Sequence, residues 1–405
     1  MRHGLINRWQ KLAENNRDYS RPLVWFHAPS VGEGLQARPI IDRLRSSHPE
    51  FQIAYSFFSP SAEQFASSLN VEMAEYLPFD SARESNELFD IIAPNVLAFV
   101  KLDVWPNFAA AASQRKIPTV LLSATVAPRS KRQGAFASML LRDAYQSLSA
   151  VGAIDSSDAE RLRQMGVRDG ALAVTGDTRF DQVWARTQNL NRNSAMLVAL
   201  RNDAVQTVVA GSTWPSDEKI LLPAFAALKR KLSSARLLIA PHEPTPTHVN
   251  PIREWAIQNR LSHATLSSIS AHPMSADVVV VDSVGVLGDL YDLADVAFVG
   301  GGFHSAGLHS VLEPAAYGKP VVFGPNYHMS RDAQLLLQSG SAQSVTTASD
   351  LAETMFNWLT NDAVRHDVGA KAAAVVTKGL GAAERSLQVL LQALQQSQLL
   401  PSAVR

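Results

Sequence analysis

The chain has 405 residues, 46% of them apolar and 18% charged, with 37 basic side chains balancing 37 acidic ones and no cysteine. That length can bury two substantial cores, and the missing thiols exclude disulfides, thiolate zinc sites and cysteine nucleophiles. No run of about 18 apolar residues marks a membrane-spanning helix, and the first residues, MRHGLINRWQKLAENNRDYSR, lack the apolar centre of a signal peptide, so the cytosol is the default compartment.

In chain order, apolar strand candidates alternate with amphipathic segments. The pattern predicts strands near 23–27, 52–56, 96–100, 118–122 and 150–153, with helical stretches such as 35–46 and 156–165 between them. A second series follows near 206–210, 235–239, 277–281, 296–299, 320–323 and 342–345. Such alternation is the signature of right-handed βαβ units. The expected fold class is therefore α/β: two Rossmann-like doubly wound domains, 1–190 and 197–380, facing across a cleft. The polar stretch TQNLNRNSAM (187–196) is the expected linker. The alanine- and leucine-rich tail at about 381–398 reads as a helix that packs back onto the first domain.

Two glycine-bearing junctions stand out, LVWFHAPSVGEG at 23–34 and VAFVGGGFHSAGLHSVLEPAAYGKPVVFGP at 296–325. In each, an apolar run ends in small residues that bring backbone amides to a strand's carboxyl end, where anions and sugar hydroxyls are held. Glu33 lies at the start of the helix after the first junction. It can take the proton of an attacking hydroxyl, or simply complement the helix dipole.

Lys101 and Asp103, in KLDVWPN (101–107), follow another apolar run. Strand alternation puts them on one face, where they can pair with each other or line the cleft jointly. In TGDTRFD (175–181), Arg179 can neutralise a phosphate or bridge Asp181 locally. GSTWPSDE (211–218) reads as a helix cap with Pro215 in the first turn. His242, in APHEP (240–244), can contact a base or phosphate, or sit satisfied in its loop.

The glycines 300–302 lead through His304 and His309 to Glu313. On a helix, His309 and Glu313 would share a face as a metal pair, but no third ligand is evident nearby. Backbone amides for a phosphate, with Glu313 accepting from ribose hydroxyls, account for the glycines and the acid together. No GxGxxG opens a βαβ unit here.

From 104 to 142 the chain has no acid, while Arg115, Lys116, Arg129, Lys131, Arg132 and Arg142 are basic. This segment can meet a phosphorylated substrate or an anionic membrane, or form a solvated helix face. Nucleic acid is not the expected partner, because neither a binding motif nor interleaved aromatics accompany the charge.

The collinear order HAPSVGE, WPN, TGxxRFD, GSTW, APHE, DSVGxLxxLYxxADVAFVGGG and HSxLEPAAxGKPVxFGP resembles the Kdo transferases over roughly residues 23–335. These are GT-B glycosyltransferases of family 30. They move 3-deoxy-D-manno-octulosonic acid (Kdo) from CMP-Kdo onto lipid A precursor (lipid IVA) in lipopolysaccharide core biosynthesis. The resemblance implies an acceptor-binding first domain and a CMP-Kdo-binding second one.

It further implies Glu33 as general base. CMP contacts fall on Pro241 and His242, on Val284, Gly285 and Val286, and on Ser310, Val311, Leu312 and Glu313. Lys101 and Arg179 occupy positions that in many members hold a transition-state-stabilising Glu and Lys. In one branch of the family the acid comes two residues later, here Asp103, and Ser310 replaces a common Asn. The implied reaction is a single inverting displacement that needs neither metal nor cofactor, with domain closure excluding water.

Members usually begin with an apolar anchor followed by a basic segment, which RHGLINRWQKL resembles. Either an anchor lies outside this chain or the protein docks peripherally, through Arg2, Arg8, Lys11 and the 104–142 stretch, on the cytoplasmic face of the inner membrane. A nucleotide-sugar epimerase of the same fold, or a non-catalytic nucleotide-sugar or lipid A binding protein, is the alternative.

Overall fold

The structure, a computed structural model, describes residues 4–127, 135–268 and 276–396. It divides into two compact units. The first runs to Gln182 and takes up the chain again from Gly379, and the second is Val183–Lys378. The helix Thr178–Gln188 carries the chain from one unit into the next.

The first unit is built on a seven-stranded parallel sheet. Its strands are β1 (Leu23–His27), β2 (Gln52–Phe57), β3 (Met73–Tyr76), β4 (Val96–Val100), β5 (Thr119–Ala124), β6 (Ala150–Ala153) and β7 (Leu172–Val174), in the order β3-β2-β1-β4-β5-β6-β7. The central strands are continuous apolar runs because helices cover both faces of the sheet. In β1, Leu23 and Trp25 enter a core with Phe89, Phe108 and Tyr145, while Val24 and Phe26 enter the opposite core with Ile40 and Ile53. Each such fully buried side chain contributes about 1.5–3 kcal/mol.

The helix Leu5–Asn16 covers one of these cores through Trp9, whose indole donates to Tyr76 O at 2.9 Å. The helix Ala382–Gln396 completes the other core with Leu387, Leu390 and Leu394. Asp181 anchors its start, accepting from the amides of Gly381 and Ala383 at 2.9 Å each.

The second unit repeats the plan with β8 (Gln206–Thr213), β9 (Ala235–Pro241), β10 (His263–Thr265), β11 (Val278–Val280), β12 (Val296–Val299), β13 (Val321–Phe323) and β14 (Ala342–Ser344). All pairings are parallel, in the order β10-β11-β9-β8-β12-β13-β14. The doubly wound expectation therefore holds in both units.

Three strands, β3, β7 and β10, were not predicted from the sequence. All three are short outer strands: MAEY and HAT interrupt their apolar residues with polar ones, and LAV is only three residues long, so none offers the extended apolar run of a central strand.

Topology places the sites. Strand order reverses between β1 and β4, where His27 pairs with Phe99, and between β8 and β12, where Gly211 pairs with Val299. The carboxyl ends of these strand pairs open the crevices where doubly wound sheets bind ligands. No helix among the described residues is long and apolar enough to cross a membrane.

Candidate functional site

At the first crevice, β1 ends at His27 and the helix Val31–Ser47 begins three residues beyond Ala28. Ser30 caps that helix: its Oγ accepts from Gly32 N at 3.2 Å and donates to the Glu33 carboxylate. The S-x-x-E spacing that brings the two side chains together at the helix start is legible in the sequence. Across the crevice, Lys101 follows β4 directly, and its Nζ donates to Glu33 Oε1 at 2.7 Å.

Burial pushes the Glu33 carboxyl up, but hydrogen bonds from Lys101 and Ser30 and the charge of Lys101 outweigh it. The group therefore titrates below the ordinary glutamate value.

The expectation that Lys101 and Asp103 share a strand face is corrected here. Lys101 adopts φ 70°, so the two-residue alternation stops at Val100. The partner of Lys101 is Glu33, and Asp103 Oδ2 accepts from the Trp105 indole at 3.0 Å. In the WPN motif, Trp105 lies edge-on to His27 at 5.4 Å and Pro106 opens the helix Pro106–Gln114. Asn107 N donates to Asp80 Oδ1 at 3.1 Å, and its side-chain amide donates to Asp80 O at 2.7 Å.

His27 is fully buried beneath this surface. Its Nδ1 meets Ser56 Oγ at 2.9 Å, its Nε2 has no partner, and burial pushes its pKa down to about 4.

Arg179 is paired with Asp177, from Nη2 to Oδ2 at 2.6 Å, rather than with Asp181 as one sequence reading had it. Asp181 is engaged by the amides that start the C-terminal helix. The neighbouring Thr178 hydroxyl donates to Gln36 O at 2.8 Å, which ties the start of the Arg179 helix to the helix that carries Glu33.

At the second crevice, a bulge at Ser212 (φ 53°) ends the regular pairing of β8 and places Trp214 at the head of the helix Pro215–Lys231. Trp214 stacks on His304 at 4.2 Å and on His242 at 4.5 Å, and its indole donates to His309 Nε2 at 3.1 Å. His242 in turn meets His309 at 4.6 Å. Burial and the neighbouring histidines keep His309 below the ordinary histidine value. Among the described residues, no group of three or more His, Asp or Glu side chains is arranged as a metal site.

Asp217, fully buried, knits the crevice together. Its carboxylate accepts from Trp214 N at 2.9 Å, Gly301 N at 2.8 Å and Phe303 N at 2.9 Å. Two expectations change as a result. The amides of Gly300 and Gly301 are not offered to a phosphate, because they are spent on Gly211 O and Asp217. The three glycines serve close approach instead: a Cβ would lie 2.2 Å from Ser212 O at residue 300, 2.2 Å from Gly307 O at 301 and 2.4 Å from Gly324 N at 302. Secondly, His309 and Glu313 do not share a helix face, since the helix begins only at Leu312.

Pro241 closes β9, and His242 N donates to Thr213 O at 2.9 Å. The side chains of Val311 and Leu312 are buried in the core, so only their main chain can face a ligand, whereas Ser310 is exposed. Burial raises the Glu313 carboxyl, Arg186 opposes that shift and Asp289 adds to it. Val284 is 76% exposed, and Gly285 (φ 87°) turns the chain. Sequence reading gave no ligand-site role to Trp214, Asp217, His304 or Arg186. GSTWPSDE read only as a cap, and nothing local in the sequence tied the other contacts to it.

Of the basic side chains expected at a membrane, Arg8 pairs with Glu75 at 3.3 Å and Arg115 with Asp90 at 2.7 Å. Lys11, Lys116 and Arg142 are exposed, and Arg2, Arg129, Lys131 and Arg132 lie outside the described residues.

Residues 2–182 match the family model described as 3-deoxy-D-manno-octulosonic-acid transferase (kdotransferase). A 3-deoxy-D-manno-octulosonic acid transferase of Bordetella pertussis is 28% identical over 378 residues, 91% of this chain and 86% of the relative. The transferase of the same name from Haemophilus influenzae is 25% identical over 379 residues, again 91% and 86%.

Among solved structures, the UDP-GlcNAc 2-epimerase of Neisseria meningitidis bound to UDP-GlcNAc superposes with a TM-score of 0.64 at 14% identity, covering 93% of this chain and 100% of that one. A glycosyltransferase from Rickettsia africae gives 0.62 at 11% identity, covering 94% and 98%. At these identities the structural likeness establishes the fold alone.

Proposed function

We propose that the chain is a Kdo transferase, an inverting glycosyltransferase that moves Kdo from CMP-Kdo onto a lipid A precursor; the family model over residues 2–182 and the transferases at 25–28% identity over 91% of the chain support this reading. The observation that carries this reading is Glu33, a mostly buried carboxylate at the reversal point of the first sheet, with its charged form supported by Ser30 and Lys101.

In this reading, Glu33 removes the proton from an acceptor sugar hydroxyl as the oxygen attacks the anomeric carbon of Kdo. The bond from that carbon to the CMP phosphate oxygen breaks on the opposite face, and the configuration inverts in one step. The attacked centre gains oxocarbenium character while negative charge collects on the departing phosphate. Lys101 holds Glu33 ionised. Arg179, the counterpart of the family's cationic residue, offers its guanidinium to the developing charge, and Asp103 orients Trp105 beside the acceptor.

The donor falls to the second unit. His242 and Trp214 present flat rings to the nucleotide, the main chain of Ser310, Val311 and Leu312 meets the phosphate, and Glu313 accepts from the ribose hydroxyls. Pro241 and the turn through Val284, Gly285 and Val286 border the base. The enzyme works at the cytoplasmic face of the inner membrane, where Lys11, Lys116 and Arg142 meet anionic lipid.

The curated relatives at 25–28% identity over 91% of the chain are transferases, which favours transfer over epimerisation.

The test incubates the protein with freshly generated CMP-Kdo and a tetraacyl lipid A precursor and follows the lipid by mass, beside Glu33→Gln. Addition of one or more Kdo masses, lost in the variant, is expected. Binding of CMP without any lipid product would overturn the reading.

A further inference from the structure

Arg186 lies on the helix Thr178–Gln188, in the part that belongs to the second unit. No motif includes it, and the reaction described above gives it no role. Its guanidinium donates from Nη2 to Gly285 O at 3.1 Å and from Nε to Asp289 Oδ1 at 3.0 Å.

The space for that group depends on Gly288, where a Cβ would stand 2.4–2.7 Å from the guanidinium. Gly285 adopts φ 87° in a turn that is packed on the core only at its Val286 end, while Val284 is 76% exposed, so packing anchors one side of the turn and leaves the other open. Arg186 supplies a hydrogen bond directly to its backbone. The same cation also acts on Glu313, opposing the upward shift that burial and Asp289 impose on that carboxyl.

We propose that Arg186 is the positioning residue of the donor site, fixing the 284–286 turn in the form that receives the cytidine nucleotide. This inference rests on the assignment of that turn and Glu313 to the donor. A planar guanidinium suits the task because it reaches a carbonyl and a carboxylate on two different segments at once, whereas a lysine ammonium is a single point charge on a flexible stem. Arg186 touches no reacting atom. Its removal therefore weakens donor binding and leaves the chemical step intact.

Calorimetry with CMP on the whole protein comes first, followed by steady-state kinetics with CMP-Kdo varied at saturating acceptor. Loss of a charged hydrogen bond predicts a rise of roughly ten-fold or more in CMP Kd and donor KM for Arg186→Met. kcat and acceptor KM should change less than about two-fold, and the thermal midpoint should stay close to that of the parent. Arg186→Lys should restore only part of the loss.

Gly288→Ala, which displaces the guanidinium without removing its charge, should raise donor KM in the same direction and add nothing further in the Arg186→Met background. CMP bound by the parent and equally well by Arg186→Met and Gly288→Ala would overturn this inference alone. Failure of the parent to bind CMP would overturn the donor assignment and this inference together.

Discussion

Lys101 Nζ stands 2.7 Å from Glu33 Oε1, while Ser30 holds the other carboxylate oxygen, so both oxygens of the proposed base are engaged before any acceptor arrives. Lys101 is about half exposed and Glu33 mostly buried. A pair of this kind adds little to stability because solvent screens one partner. Its effect falls on the charge state of Glu33. Lys101 is the cation that holds Glu33, the proposed base, below the ordinary glutamate value.

Lys101→Met should therefore move the acid limb of kcat/KM. With Lys101 present, the pKa of Glu33 is depressed, and the carboxylate persists as pH falls until that low value is reached. Without it, burial is opposed only by Ser30 and a backbone hydrogen bond and the pKa rises, so activity should begin to fall at a higher pH. An acid limb that coincides in the two proteins would contradict the assignment of Glu33 as base.

Asp217→Ala should destabilise the second unit by about 3 kcal/mol or more, because three amide donors at Trp214, Gly301 and Phe303 lose one buried carboxylate. The Trp214 stack would lose its footing at the same time. Thermal or urea melts followed by tryptophan fluorescence measure both effects. A parent-like midpoint would show that the carboxylate does not tie these segments together.

Gly300→Ala tests the close-approach role of the glycine run. The added Cβ would lie 2.2 Å from the carbonyl oxygen of Ser212, a main-chain atom that cannot swing away. A loss of about 2 kcal/mol is expected, roughly 4–8 °C in thermal midpoint. A variant with unchanged stability and weakened CMP binding would instead restore the phosphate-cradle reading.

His27 should make stability depend on pH. Its native pKa is pushed down to about 4 by burial, while in the unfolded chain it returns to about 6.5. Above about pH 6.5 it is neutral in both states and contributes nothing. As pH falls from there towards 4, the unfolded chain binds a proton that the native state refuses, which costs about 3 kcal/mol in all. His27→Phe, which keeps an aromatic ring between Phe99 and Trp105, should flatten this part of the stability profile. An equal slope in the variant would place the acid sensitivity elsewhere.

The sequence by itself determined the two doubly wound sheets and the position of Glu33. Fully covered parallel strands must be continuous apolar runs, and a cap spaced S-x-x-E after such a run must put its acid in the first turn of a helix. Both are local rules, readable from β1, β4, β8 and β12 alone. The outer strands β3 and β10 escaped because a strand bonded on one edge need not be apolar, and β7 because its apolar run is only three residues long.

The tertiary structure alone decided the partners. Lys101 meets Glu33 across 68 positions of chain, Asp217 meets Gly301 across 84, and Arg186 meets Gly285 across 99. In each case strand order and a single backbone turn, such as φ 70° at Lys101, choose the contact. The residue types declare which atoms can donate and accept. Which donor finds which acceptor follows from how the sheets bring distant loops to one edge, and no spacing along the chain encodes that distance.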